Sequence, residues 1–117
     1  MMELITRHLV KAFDIGVNDN LYGGRMLDWI DEAGAMFARL SFPKNQFVTL
    51  KIAETVFHKP IHINEIIEFY VSQVTVGETS LTFTIEVKRN EELILHTTVV
   101  FVAVGTDGHS TKILKND

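Results

Sequence analysis

Asn18-Asp-Asn-Leu-Tyr-Gly-Gly-Arg-Met-Leu-Asp-Trp-Ile-Asp-Glu-Ala-Gly-Ala-Met-Phe-Ala-Arg-Leu40 is the stretch on which the fold turns. It opens with turn-formers, passes the pair Gly23-Gly24, and then runs as the only long helical pattern in the chain. With Asp31 set at zero and a step of about 100° per residue, Asp28, Arg39, Glu32 and Arg25 fall within roughly 60–120° and form one polar strip. Met26, Leu27, Trp29, Ile30, Ala33, Gly34, Met36, Phe37, Ala38 and Leu40 occupy most of the remaining circumference. So wide an apolar arc predicts a helix covered on several sides. Asp31 stands on the seam between the two arcs, beside Leu27, Gly34, Ala35 and Ala38, where a carboxylate is only partly hydrated.

The bulk composition narrows the possibilities. A length of 117 residues suits one domain spanning 1–117. The hydrophobic share of 46% is high for a small monomer and points to apolar surface that closes against another copy. A net charge of −4 and a pI near 5.7 argue against a nucleic-acid partner, which would call for a basic stripe. No run has the length of a membrane span, and residues 1–11 lack the apolar centre of a signal peptide. The chain has no cysteine, which excludes disulfides, thiolate metal sites and cysteine nucleophiles. A cytoplasmic location fits these features.

Along the chain, the pattern predicts a first strand over 3–13 and a loop over 14–20. The helix follows over about 25–41, stopped by Phe42-Pro43. Strands are predicted over 46–57 and 66–76, with a turn at Gly77-Glu78. Leu81, Phe83, Ile85 and Val87 alternate with Thr82, Thr84, Glu86 and Lys88, the clearest half-buried strand. Arg89-Asn90-Glu91-Glu92 makes a hairpin connection to a strand over 93–104. That last strand is apolar on both faces and is expected to be covered on both, with His96 packed inside it. Residues 110–117 read as a short frayed tail. One strand, one long helix and four strands with short turns predict an α+β arrangement, a single helix wrapped by a five-stranded antiparallel sheet. The helix shields one sheet face, so the other face and the edges call for a partner copy.

The residues also carry a family resemblance. Asn18-x-Asn20-Leu-Tyr22-Gly-Gly24, followed by Trp29-Ile-Asp31-Glu-Ala-Gly-Ala35, resembles the helix signature of the hotdog-fold acyl-CoA thioesterases, closest to the bacterial short-chain and brain-type acyl-CoA hydrolases. Val48-Thr-Leu-Lys-Ile52 with Phe57-His-Lys-Pro60-Ile61 is similar to that family's second strand and its Phe-x-Lys-Pro end. Val76-Gly-Glu-Thr-Ser80-Leu81 resembles the Gly-x-x-Ser turn before its fourth strand. The resemblance runs from about Leu9 to Lys112. It implies a hotdog fold and a homo-oligomer of at least a dimer, a tetramer or hexamer in many relatives. The implied substrate is an acyl-CoA, the implied active site lies between subunits, and no cofactor is implied, because water is the only other reactant. It also implies that Asp31 is the catalytic carboxylate, assisted by an asparagine of the preceding loop, Asn20 or Asn18. Tyr22 stands where many relatives have His and where the bacterial branch has Phe. The Gly-Asp common in relatives near Asn64-Glu65 is missing here.

Thioester hydrolysis needs an activated water and a stabilised oxyanion. A carboxylate partly stripped of water is the better base, and Asp31 can either deprotonate water or attack the carbonyl to form an anhydride. The first amides of a helix lack internal acceptors, so Gly23 and Gly24 are candidates for the oxyanion, with no side chain in the way. The resemblance implies that Thr49 faces the helix, where its hydroxyl holds Asp31 or the water, the alternative being an ordinary sheet hydroxyl bonded to backbone. Lys59, Ser80, Lys88 and Arg89 are candidates for the CoA phosphates, and Tyr22 and His58 for further contacts to the substrate. Glu32 lies deeper in the polar strip and reads as a surface or interface charge. His58 and His62 have a spacing that binds metal on a helix, but Pro60 between them removes that geometry, so no metal site is expected. The competing readings are a non-catalytic acyl-CoA-binding module, a hotdog dehydratase and a plain oligomerising scaffold. The module has no need of Asp31. The dehydratase would need a His-bearing loop before the helix, and the scaffold leaves Asp31 and Gly23-Gly24 unexplained.

Overall fold

The computed structural model describes residues 2–115. In chain order it contains β1 (Glu3–Leu9), short 3-10 turns at Ala12–Asp14 and Val17–Asp19, α1 (Gly23–Ser41), β2 (Gln46–Ile52), β3 (Ile66–Val76), β4 (Ser80–Arg89) and β5 (Glu92–Val104). The strands form one five-stranded sheet in the order β1-β3-β4-β5-β2, every neighbouring pair antiparallel. The helix packs on one face of this sheet, as the alternation and the single amphipathic run require.

The core lies between α1 and the inward side chains of the central strands. On β4, Leu81, Phe83, Ile85 and Val87 are fully buried, opposite Phe101, Val99, Thr97 and Leu95 of β5. The hairpin joining these strands has Asn90 and Glu91 at φ 50° and 69°, the left-handed pair that matches the twist of a tight two-residue turn. From the helix, Met26, Trp29, Ile30, Ala33, Phe37 and Ala38 recur at three- and four-residue spacing and close the core. Phe37 meets Phe83 edge-on at 4.9 Å, and Phe83 lies 5.6 Å from Phe101. Gly34 permits this approach. A Cβ there would stand 3.1 Å from the Phe101 ring and 3.3 Å from that of Phe83.

Several boundaries differ from the sequence expectation. The first strand ends at Leu9; the Asp14 carboxylate takes the Lys11 amide at 2.8 Å and winds 12–14 into a 3-10 turn, leaving Phe13 exposed. The helix starts at Gly23, two residues early, because Tyr22 already accepts from the amides of Arg25 and Met26. The second strand stops at Ile52. Beyond it, the Thr55 and Thr97 hydroxyls donate to the Ala53 carbonyl, and 53–58 keeps only scattered bonds to β5. β5 is buried on one face only, with His96 exposed on the other, because the single helix has nothing to offer the far side. The tail is docked through Leu114: Ile113 is buried and donates to the Glu78 carbonyl, while the Asn45 amide brackets the backbone of Leu114. Residues 116 and 117 of the expected tail lie outside the described residues.

His8 joins the edge strand β1 to the helix. Its ring stacks on Trp29 at 4.5 Å and 6° and meets Phe69 edge-on at 5.6 Å. Its Nε2 lies 3.3 Å from Glu32 Oε1, close enough for charge attraction yet misaligned for a hydrogen bond. Burial holds the imidazole below its ordinary 6.5, and Glu32 only partly opposes this. The unfolded chain therefore binds the proton more readily, and this contribution to stability is present above about pH 6.5 and is lost as pH falls through the lower folded value. Thermal denaturation at pH 7.5 and 5.5 is expected to show a larger drop in Tm for wild type than for His8→Phe, which keeps the stack and cannot titrate.

Candidate active site

The loop ahead of α1 folds against the segment after β2. Leu21 donates to the Ile61 carbonyl at 2.8 Å, and His62 Nδ1 lies 3.2 Å from the Asp19 carbonyl oxygen. Between them lies an open cleft of about 380 Å³, lined by Asn20, Leu21, Gly23, Phe57, His58, Lys59, Pro60 and Ile61. The chain thus brings Asn20 and Gly23 together with His58 and Lys59. Asn18 sits outside the cleft, exposed, at φ 58° in the left-handed region that asparagine tolerates.

The two glycines differ. A Cβ on Gly23 would meet nothing within 4 Å, so no neighbouring side chain crowds that position. A Cβ on Gly24 would stand 2.8 Å from the ring of Tyr22, which folds across it. Gly24 is therefore glycine at least partly to admit that ring, which leaves Tyr22 exposed over the helix start. Neither glycine amide has a backbone acceptor among the described residues, as expected for a first helical turn.

Asp31 is half-buried on the helix seam, and the Thr49 hydroxyl of β2 donates to its Oδ1 at 2.6 Å. The bond fixes the carboxylate against an edge strand whose neighbouring side chains, Val48 and Leu50, are exposed. Seven residues separate Gly24 from Asp31 on a continuous helix, about 10 Å along the axis. A base must lie within about 3 Å of the proton it takes, or act through one water. Asp31 thus stands about two helical turns beyond the glycine pair.

Two further candidates are engaged elsewhere. Ser80 packs over Gly77, whose added Cβ would lie 2.8 Å from its Oγ, and it accepts the Gly77 amide through its carbonyl. Arg89 donates to the Pro60 carbonyl at 2.7 Å, to Glu65 at 2.9 Å and to Glu92 at 2.8 Å. Those partners hold its guanidinium above its usual range, Glu92 foremost. Glu32 is exposed, as expected, and reaches His8. Among the described residues no group of three metal-ligating side chains comes together, and no helix is long and apolar enough to cross a membrane.

Sequence reasoning missed the pair that fixes the loop. Asp14 is 3% exposed, and its Oδ1 lies 3.1 Å from Arg25 Nε while its backbone carbonyl takes the Tyr22 amide. The Arg25 contact is one of charge, since Nε lacks hydrogen-bond alignment. Asp14 reads as a turn-former and Arg25 as part of a solvated strip. Nothing in their spacing across an irregular loop marks them as partners.

Residues 18–96 match the family model of the thioesterase superfamily. The acyl-CoA thioester hydrolase YciA of Salmonella typhimurium is 28% identical over 85 residues, covering 73% of this chain and 63% of that protein, so the chain spans less than two thirds of that relative's length. Among solved structures, a hexameric hotdog fold thioesterase of Campylobacter jejuni superposes with a TM-score of 0.85 at 30% identity, over 96% of this chain and 90% of that one. An acyl-CoA hydrolase of Staphylococcus aureus, solved with butyryl coenzyme A, superposes at 0.81 with 21% identity, over 99% and 73%, a likeness of fold. The one-helix, five-stranded architecture is thus the hotdog fold.

Replacing Asp14 with Ala leaves Arg25 facing an emptied site and the Lys11 amide without its acceptor. Asp14→Ala is expected to cost about 2–3 kcal/mol in denaturant unfolding, more than Asp28→Ala on the exposed strip of the same helix.

Proposed function

The chain belongs to the thioesterase superfamily, and on that premise we propose that it hydrolyses acyl-CoA thioesters to the free acid and CoA. The observation that carries this reading is the Thr49–Asp31 hydrogen bond, which holds a half-buried carboxylate at an open sheet edge. With Oδ1 accepting from Thr49, Oδ2 is left for the reaction. As a general base, Asp31 takes a proton from water and the resulting hydroxide adds to the thioester carbonyl. The tetrahedral oxyanion then collapses, the C–S bond breaks, and the thiolate of CoA leaves with the proton. As a nucleophile, Asp31 instead displaces the thiolate to give an anhydride that water opens. Both routes use the same placement.

The distance along α1 between Asp31 and the glycine pair supports a site shared by two copies, Asp31 and Thr49 from one and Asn20, Gly23 and Gly24 from the other. The exposed Val48 and Leu50 on β2 give that pairing an apolar edge. A homo-oligomer, dimeric at least, is therefore part of the reading; the Campylobacter jejuni relative is described as a hexamer. Asn20, which lines the cleft, is favoured over Asn18 as the assisting amide. Gly23, which lines the cleft, is the foremost oxyanion donor, with Gly24 beside it. His58, Lys59 and Tyr22 lie at or beside the cleft and are assigned to the CoA moiety, whereas Ser80 and Arg89 support the structure around it. We place the reaction in the cytoplasm, where acyl-CoA is made and used.

A panel of acyl-CoAs offered to wild type, Asp31→Ala and Thr49→Val, with thiol release followed by a colorimetric reagent, tests this. Release is expected for at least one chain length, lower by about two orders of magnitude or more in Asp31→Ala, and reduced by a smaller factor in Thr49→Val. Binding of acyl-CoA by wild type without any thiol release would instead make the chain a non-catalytic acyl-CoA-binding module.

A further inference from the structure

Of the lysines and arginines that the sequence offered for substrate contacts, Lys59 alone lines the cleft, and it is already paired. Its Nζ lies 2.6 Å from Glu92 Oε2, in a contact where both side chains stay substantially exposed. The other oxygen of Glu92 accepts from Arg89 Nη2 at 2.8 Å. Arg89 is the least exposed member of the group and also holds Glu65 and the Pro60 carbonyl, so it is pinned on the loop that builds the cleft. Glu65 in turn takes the His62 amide at 2.7 Å. The chain Lys59–Glu92–Arg89–Glu65 has two positive and two negative members and is electrically closed.

This arrangement is asymmetric. If Lys59 swings from Glu92 toward the cleft, Glu92 is not stranded, because the permanently charged Arg89 keeps its other oxygen. Both cations hold the Glu92 carboxyl below its usual range, Lys59 foremost. A cation whose counter-ion has a second partner can be transferred to an incoming anion at small cost. A cation without a counter-ion would offer an incoming anion no competitor to displace.

We propose that Glu92 is a specificity-determining residue that masks Lys59 until a phosphate-bearing pantetheine thioester displaces it. The inference rests on the acyl-CoA reading and deepens it: Lys59 is the exchangeable phosphate contact, Glu92 competes with the phosphate for it, and Arg89 is a positioning residue that keeps Glu92 and the Pro60 loop in place during the exchange. A neutral acyl-pantetheine has nothing to exchange for Glu92 and derives no benefit from Lys59.

The test measures CoA and pantetheine binding by calorimetry to wild type, Glu92→Gln, Lys59→Gln and the double variant. Glu92→Gln keeps a side chain of the same size and an acceptor for Arg89 while removing the charge that masks Lys59. It is expected to bind CoA about threefold to fivefold more tightly, the scale of one exposed ion pair, with the gain fading at high salt. Pantetheine affinity should stay unchanged, and in the Lys59→Gln background the Glu92 substitution should bring no gain for CoA. Equal changes for CoA and pantetheine, weaker CoA binding in Glu92→Gln, or a gain that persists without Lys59 would each overturn the proposal and leave the network as a plain structural brace. Because the readout is binding of the product carrier, the result stands whether or not thiol release is detected. Absence of release from every acyl-CoA would sink the hydrolase reading alone.

Discussion

The close approach of α1 to the sheet at Gly34 is the constraint from which the rest of the geometry follows. With no Cβ at that position, the helix settles onto the rings of Phe83 and Phe101, and Phe37 packs edge-on against Phe83 one turn further along. That contact fixes the helix height and rotation, and so determines which residues reach the rim. Asp31, three residues before Gly34, emerges on the β2 side, where the Thr49 hydroxyl can reach it at 2.6 Å. A helix held about a methyl group further from the sheet would loosen the core and place the carboxylate beyond that hydroxyl, because close-packed interiors transmit such displacements.

A single helix can cover only one face of a five-stranded sheet. The far side of β5 and the edge strand β2 are therefore open in one copy, with Val48, Leu50 and His96 exposed. The same geometry separates the carboxylate from the glycine amides along the helix. The open sheet face and the apolar edge are thus two consequences of one architecture.

Around the cleft, charge is used mostly for positioning. Asp14 and Arg25 tie the preceding loop to the first helical turn, and Arg89 ties the Pro60 loop to the β4–β5 hairpin. In each case an arginine bridges a carboxylate and an irregular segment that has few ladder hydrogen bonds of its own. Loops rich in unpaired backbone need such ties, since neither helix nor sheet satisfies their polar groups. Lys59 differs in being exposed and held by Glu92 alone among the described contacts.

Periodicity alone determined the elements. The three- and four-residue recurrence from Met26 to Phe37 and the strict alternation from Leu81 to Val87 follow from local geometry, and they placed the helix and β4 where the structure has them. Asp31 stood out because a carboxylate beside Leu27, Gly34 and Ala38 violates that pattern. Tertiary structure decided what depends on residues far apart in sequence. It ended β1 at Leu9 through the Asp14 cap and docked Ile113 under the turn after β3. It chose Asn20 over Asn18 for the cleft wall and committed Arg89 to Glu65 and Glu92. The division has a physical cause. Burial of a repeating face is recorded in each residue's own hydrophobicity, whereas an ion pair or a cap is recorded only in the distance between two groups that the folded chain brings together.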